Sequence, residues 1–257
     1  MKKQIVALVT LTLAVSLACQ MFVPPTEREG MVISDCADIV RAVSEIQPGE
    51  VPQNLMDTGI KTGDEFDAND YFKALNHISM QEGYALDYVY QTDFLGSLPI
   101  PYARPVEQEP YASMADVPDG QKLESYRDHI EIEDVEQGYF EYVVLDTMVR
   151  QFYLVWHANY NDAQIVCDRA AADEIVEQTN SGGVGTEMDA KQKAQVRAMT
   201  NIEPAVKLTA DSAIVEVVIF TKWGGFFRQT YTISRSFPHT IQMDEENIVE
   251  YDCGIMF

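Results

Sequence analysis

Two adjacent glycines near the end of the chain, Gly224 and Gly225, place the strongest constraint on the fold. They separate two segments, 213–221 and 226–234, in which apolar and polar residues alternate. Both central residues of a type I′ turn need positive φ, which glycine adopts without steric cost. The pattern therefore predicts a tight antiparallel β-hairpin in this part of the chain.

The rest of the chain alternates between strand and helix patterns. Hydrophobic periodicity predicts further strands at 84–91, 130–132, 139–146, 149–157, 205–209 and 247–253. It predicts helices at 35–46, 67–81, 162–178 and 190–199. The proline-punctuated segment 99–118 is predicted to be a long surface loop.

Strands that are grouped on either side of helices imply an α+β fold. We expect a largely antiparallel β-sheet of hairpins and meanders, packed with three to four helices. A single domain over 33–257 is the favoured organisation. The alternative is a subdivision near 181–186, where glycine and serine are concentrated.

The N-terminus has the features of an export signal. A basic start, Met1-Lys2-Lys3, precedes the uncharged apolar run 5–18. This run is shorter than the roughly 20 residues that a membrane-spanning helix needs, so we interpret it as a signal-peptide core. The run ends at Ser16-Leu17-Ala18, immediately before Cys19.

This ending resembles the lipobox of bacterial lipoproteins. The resemblance covers residues 1–19 and implies removal of 1–18 and a thioether-linked diacylglycerol on Cys19. Residues 19–32 would then be the lipidated cysteine and a tether, stiffened by Pro24-Pro25. The implied location is the cell membrane or outer membrane, with the lipid anchor as the membrane contact. Because Ser16-Leu17-Ala18 also fits an ordinary signal-peptidase site, a secreted or periplasmic protein is the alternative.

Charge restricts the possible partners. The chain has 41 Asp and Glu residues against 18 Lys and Arg, a net charge of -23. Loss of Lys2 and Lys3 with the signal makes the remainder more acidic still. Nucleic-acid binding draws most of its affinity from Lys and Arg contacts with phosphates. We therefore expect no nucleic-acid partner.

The cysteines are Cys19, Cys36, Cys167 and Cys253. If Cys19 is lipidated, the other three allow one disulfide and one free thiol. On a helix over 162–178, Cys167 would point away from the apolar stripe and would need another segment to cover it. Cys253 is the candidate, so Cys167–Cys253 is the predicted bridge. Three unpaired cysteines are the alternative.

The search for catalytic and metal-binding motifs is mostly negative. Zinc-protease, Cys-x-x-Cys, nucleophile-elbow and phosphate-loop patterns do not occur in the sequence, and no cofactor or metal is expected. The acidic segment 63–70 fits helix capping by Asp67 better than a calcium loop. The remaining catalytic hypothesis is a hydrolytic pair of a Cys167 thiolate with His157 as its base.

Aromatic residues indicate a different class of function. Tyr84, Tyr88 and Tyr90 share one face of the predicted strand 84–91, and such a face can line a concave sheet that binds sugars or small apolar ligands. Alternatively, these tyrosines simply pack against helices. Our first hypothesis is a non-enzymatic, lipid-anchored module that binds a small molecule or an envelope protein. The second is an exported hydrolase with a site near His157 and Cys167.

Overall fold

The computed structural model describes residues 29–93, 96–156, 163–182 and 185–255. Its α-helices are α1 (Cys36–Ile46), α2 (Gln53–Thr58), α3 (Tyr71–Ala74), α4 (Glu136–Met148), α5 (Arg169–Thr179) and α6 (Ala190–Ala198). Its strands are β1 (Met31–Val32), β2 (Ile78–Met80), β3 (Tyr84–Asp93), β4 (Gly96–Pro105), β5 (Ile130–Ile132), β6 (Val155–Trp156), β7 (Gln164–Val166), β8 (Ala205–Leu208), β9 (Ser212–Thr221), β10 (Gly225–Ser234) and β11 (Ile241–Glu250).

The α+β fold class is confirmed, because every described strand pair is antiparallel. A six-stranded sheet has the order β1-β8-β9-β10-β11, and β7 also pairs with β9. A three-stranded sheet is ordered β3-β4-β6, and β2 pairs with β5. The described α-helices outnumber the three to four that were expected, because α2 is too short to show periodicity and α4 was predicted to be a strand.

The predicted hairpin is confirmed as β9 and β10, in which Phe226 lies opposite Phe220. Its turn is longer than the predicted two glycines: Gly225 already pairs with Thr221, so residues 222–224 form the loop. Gly225 has a φ of 91°, and a Cβ there would lie 2.1 Å from the carbonyl oxygen of Val249. Only glycine fits this position, because both the backbone angle and the close approach exclude a side chain.

The six-stranded sheet carries helices on both faces. Along β9, Val215, Val217 and Ile219 face the larger core, which also contains residues of α1 and α4. Val218 and Phe220 face a smaller cluster that contains residues of α5 and α6. This alternation explains why successive residues at this end of β9 are all buried. No helix in the described part of the chain is both long and apolar enough to cross a bilayer.

The disulfide joins Cys36 on α1 to Cys167, with their Cα atoms 5.5 Å apart. A disulfide is thus present as predicted, but the predicted Cys167–Cys253 pairing is wrong. Cys167 follows strand β7 instead of lying on a helix, so it shares the face of Ile165 and points into the larger core. Cys253 belongs to the smaller cluster on the opposite face, where it is a buried free thiol.

Other segments also differ from the prediction. Segment 139–146 belongs to helix α4 and is not a strand, since its apolar run is buried on nearly all sides. The predicted helix 67–81 is reduced to a 3₁₀ turn at Ala68–Asp70 followed by α3 and β2, although Asp67 does cap it, accepting the Asn69 N–H at 2.9 Å. The first part of the predicted helix 162–178 is strand β7.

Strand β4 lies within the segment that was predicted to be a loop. The N–H of Ala103 points away from β3 and donates to the carbonyl oxygen of Glu124. Pro99, Pro101 and Pro105 have the same parity as Ala103, so their missing N–H groups remove no hydrogen bond from the β3 pairing. The prolines are therefore compatible with a long strand.

Candidate functional site

A cavity of about 450 Å³ lies beside strand β3. Its walls come from β3, from Arg104 on β4, and from the two loop segments 61–69 and 110–112. The lining residues are Lys61, Thr62, Gly63, Glu65, Phe66, Asp67, Ala68, Asn69, Leu86, Asp87, Tyr88, Arg104, Pro110, Tyr111 and Ala112. Charged and aromatic side chains thus share one hollow.

Three charged side chains, Lys61, Asp87 and Arg104, form the floor of this cavity. Asp87 is 9% exposed; its Oδ1 lies 2.6 Å from Lys61 Nζ and its Oδ2 lies 2.8 Å from Arg104 Nε. The N–H of Tyr88 also donates to Oδ1, at 2.7 Å. A buried carboxylate is costly unless it is paired and hydrogen-bonded, and here both oxygens are satisfied.

The position of Lys61 follows from the way its loop is attached to β3. The Asn69 side chain accepts the Leu86 N–H at 2.9 Å and donates to the Leu86 carbonyl at 3.1 Å. This amide therefore pairs with the strand edge as a neighbouring strand would. The Lys61 N–H donates to the Ala112 carbonyl at 2.9 Å, which joins the two loops that form the walls.

Glu65 stabilises the turn at the cavity rim. Its carboxylate accepts the N–H groups of Thr62 and Gly63, each at 2.8 Å, and the side-chain amide of Asn54 at 2.7 Å. Partial burial acts to raise the pKa of Glu65, but these hydrogen bonds outweigh it and lower the pKa to about 2. The group is therefore ionised at neutral pH and directed into its own turn.

Of the three tyrosines predicted to form a ligand face, the structure brings only Tyr88 to the cavity. Its ring lies 4.8 Å from that of Phe152, with Lys61 Nζ 4.6 Å from the ring centroid. Tyr90 is buried and its hydroxyl donates to the Tyr153 carbonyl at 2.6 Å. Tyr84 stacks on His129 with ring centroids 3.8 Å apart.

The Tyr88 hydroxyl is a buried polar group on a residue that lines the cavity. Burial raises the pKa of this phenol, so the hydroxyl stays protonated. Within the described ranges it has no hydrogen-bond partner. Such a group is costly unless a further molecule completes it.

Of the other predicted site residues that the structure describes, neither Cys167 nor Cys253 lines the cavity. Cys167 is bonded to Cys36, so it has no thiolate for the proposed hydrolytic pair. His157 and Cys19 lie outside the described residues. Among the described side chains, no group of three or more His, Cys, Asp or Glu residues is arranged to hold a metal ion.

Sequence reasoning missed Lys61, Asp87 and Arg104. A usable signal was present, because Asp87 is the one acidic residue within the alternating segment 84–91. A carboxylate on a strand that is otherwise apolar and aromatic requires a cationic partner if the strand is buried on both faces.

The arrangement is suited to binding more than to proton transfer, since ion pairs occupy both Asp87 oxygens. No protein-family model, no curated protein and no solved structure matches the chain. The chemistry of the site is therefore inferred from its own geometry.

Proposed function

We propose that the protein is a lipid-anchored, non-enzymatic binding module of the bacterial cell envelope, with its ligand site in the Lys61–Asp87–Arg104 cavity. The observation that carries the binding role is this charged cluster at the floor of a hollow of about 450 Å³. Ligand pockets commonly combine apolar walls with a few convergent polar groups. Here Phe66, Tyr88 and Tyr111 supply the aromatic walls.

The membrane part of the proposal is supported by the lipobox-like ending at Cys19. The acidic body suits a tethered domain that an anionic membrane surface repels. Mass spectrometry of the mature N-terminus should find a diacylglyceryl group on Cys19. An unmodified Cys19 would contradict the anchor and leave the binding role standing.

The binding role can be tested by filling the cavity. Ala112 lines the cavity, and its backbone carbonyl accepts the Lys61 N–H. We expect Ala112→Trp to abolish binding of small molecules that the wild-type mature chain retains from an extract of the producing cells. Mass spectrometry of the molecules released on denaturation gives the readout.

Ala115→Trp is the matched control, because Ala115 is exposed and lies outside the cavity lining. It should retain the same molecules as the wild type. If all three proteins retain the same molecules, or none retains any, the cavity is not the ligand site.

A further inference from the structure

The two cations at the cavity floor have hydrogen-bond donors that Asp87 does not use. Arg104 donates from Nε to Asp87 and from Nη1 to the carbonyl oxygens of Pro105 and Gln108. Its Nη2 donates to no atom in the described part of the chain. The Lys61 ammonium carries three N–H groups, of which one is directed at Asp87. Donors therefore remain for a further acceptor.

Charge identifies that acceptor as an anion. Lys61 and Arg104 face a single carboxylate, so the floor has a surplus of one positive charge. Their side chains are only 10% and 16% exposed, so water screens this surplus less than it screens surface charges. In a chain with a net charge of -23, a buried cationic surplus is unusual.

The rim limits how much negative charge the anion can carry. Glu65 and Asp67 also line the cavity, and the lowered pKa of Glu65 keeps that group charged. A group with one negative charge is repelled less by these two carboxylates than a group with two. A phosphate, with close to two negative charges at neutral pH, is repelled more strongly.

We infer that the cavity binds a small monocarboxylate, with its carboxylate against Lys61 and Arg104 and an apolar or aromatic body between Phe66 and Tyr111. The inference rests on the proposed binding function and names its ligand class. Nη2 of Arg104 and the ammonium of Lys61 can each donate a charge-assisted hydrogen bond to a ligand carboxylate, and aromatic walls favour a flat ligand body.

The test compares three probes that share a phenyl ring, which are phenylacetate, phenylacetamide and phenyl phosphate. Isothermal titration calorimetry on the mature chain should show phenylacetate binding at least about tenfold more tightly than phenylacetamide. Phenyl phosphate should bind more weakly than phenylacetate. This comparison uses the wild-type protein and does not depend on the folding of any variant.

Two variants test whether the difference in affinity between phenylacetate and phenylacetamide arises at the cavity floor. Lys61→Met removes the surplus charge and still leaves Asp87 paired with Arg104, so it should remove most of the difference between acid and amide. Lys73→Met is the control, because Lys73 is 73% exposed, pairs with Asp70 and lies outside the cavity. It should bind both probes as the wild type does.

The possible failures are distinguishable. If phenylacetate and phenylacetamide bind equally well, the carboxylate inference is overturned. If this binding is also lost in Ala112→Trp, the cavity is still supported as the binding site. Tighter binding of phenyl phosphate overturns the restriction to a single charge. Phenylacetate binding that survives Ala112→Trp, or the absence of binding by any probe, overturns the inference. The extract experiment then decides the proposed function separately.

Discussion

Two buried carboxylates, Asp87 and Glu141, are stabilised in different ways. Asp87 forms ion pairs with two cations at the cavity floor. Glu141, on α4, is 2% exposed and receives both of its contacts from His77, just before β2. Its Oε2 accepts the His77 backbone N–H, and its Oε1 lies 2.7 Å from Nδ1.

The difference shows what separates a ligand site from a structural contact. Glu141 contacts His77 through both carboxylate oxygens and so joins a helix to a strand, and within the described residues it has no ion pair with Lys or Arg. Asp87 is balanced by cations whose remaining donors line a cavity. Both carboxylates are therefore buried, but in the described part of the chain cations with unused donors lie beside Asp87 and not beside Glu141.

The largest effect is expected from Asp87→Asn. This change leaves two buried cations without their carboxylate, and removal of one partner from a buried ion pair typically costs about 3–5 kcal/mol. The free energy of unfolding from urea titration gives the measurement. Asp119→Asn, at an exposed position, should change it by less than about 0.5 kcal/mol. A similar small change in Asp87→Asn would show that the cluster is not closely coupled.

Glu65 extends the comparison to a carboxylate at the cavity rim. Its folded pKa of about 2 lies below the ordinary 4.5, so its stabilising effect is fully present above the ordinary value and is lost as the pH falls toward the folded value. Glu65→Gln should lower the unfolding free energy near neutral pH by roughly 1 kcal/mol, because solvent screens this partly exposed group. The difference in unfolding free energy between the wild type and Glu65→Gln should narrow as the pH falls to about 3. If this difference does not depend on pH, the stabilisation does not come from the ionised Glu65 carboxylate.

The parts of the fold that sequence could predict are those with a local pattern. The β9–β10 hairpin follows from alternation around Gly224-Gly225, and α1 follows from one apolar stripe that ends before Pro48-Gly49. Helix α4 could not be predicted in this way. It is buried on nearly every side, so its residues have no polar face and the run has no helical period.

The cavity floor could not be predicted because its members are distant in sequence. Lys61 is 26 residues and Arg104 is 17 residues from Asp87. Arg104 also lies on β4, and the prolines of this segment favour a loop in the sequence. The strand pairing shows that they occupy positions that donate no hydrogen bond to β3. Tyr88 could be predicted to lie on a strand face, but which of its neighbours shared the cavity depended on the loop anchored by Asn69.

A smaller effect is expected from Glu141→Gln. The glutamine oxygen can accept the His77 N–H, and its NH₂ group can donate to a neutral imidazole nitrogen. Both contacts can be kept, so the loss should be about 1 kcal/mol or less. The unfolding free energies of Glu141→Gln and Asp87→Asn, both obtained by urea titration, give the comparison. Equal losses in the two variants would remove the distinction between the two carboxylates.

The smallest change in stability, and the sharpest comparison, comes from two tyrosine hydroxyls. Tyr88 and Tyr142 are both buried, and neither hydroxyl has a hydrogen-bond partner within the described structure, but only Tyr88 lines the cavity. Each Tyr→Phe change removes an unsatisfied polar group, so stability should be unchanged or rise by up to about 1 kcal/mol.

Phenylacetate titration should separate the two variants. Tyr88→Phe should weaken binding by up to about tenfold, and Tyr142→Phe should leave it unchanged. Equal affinities would mean that the ligand does not reach the Tyr88 hydroxyl.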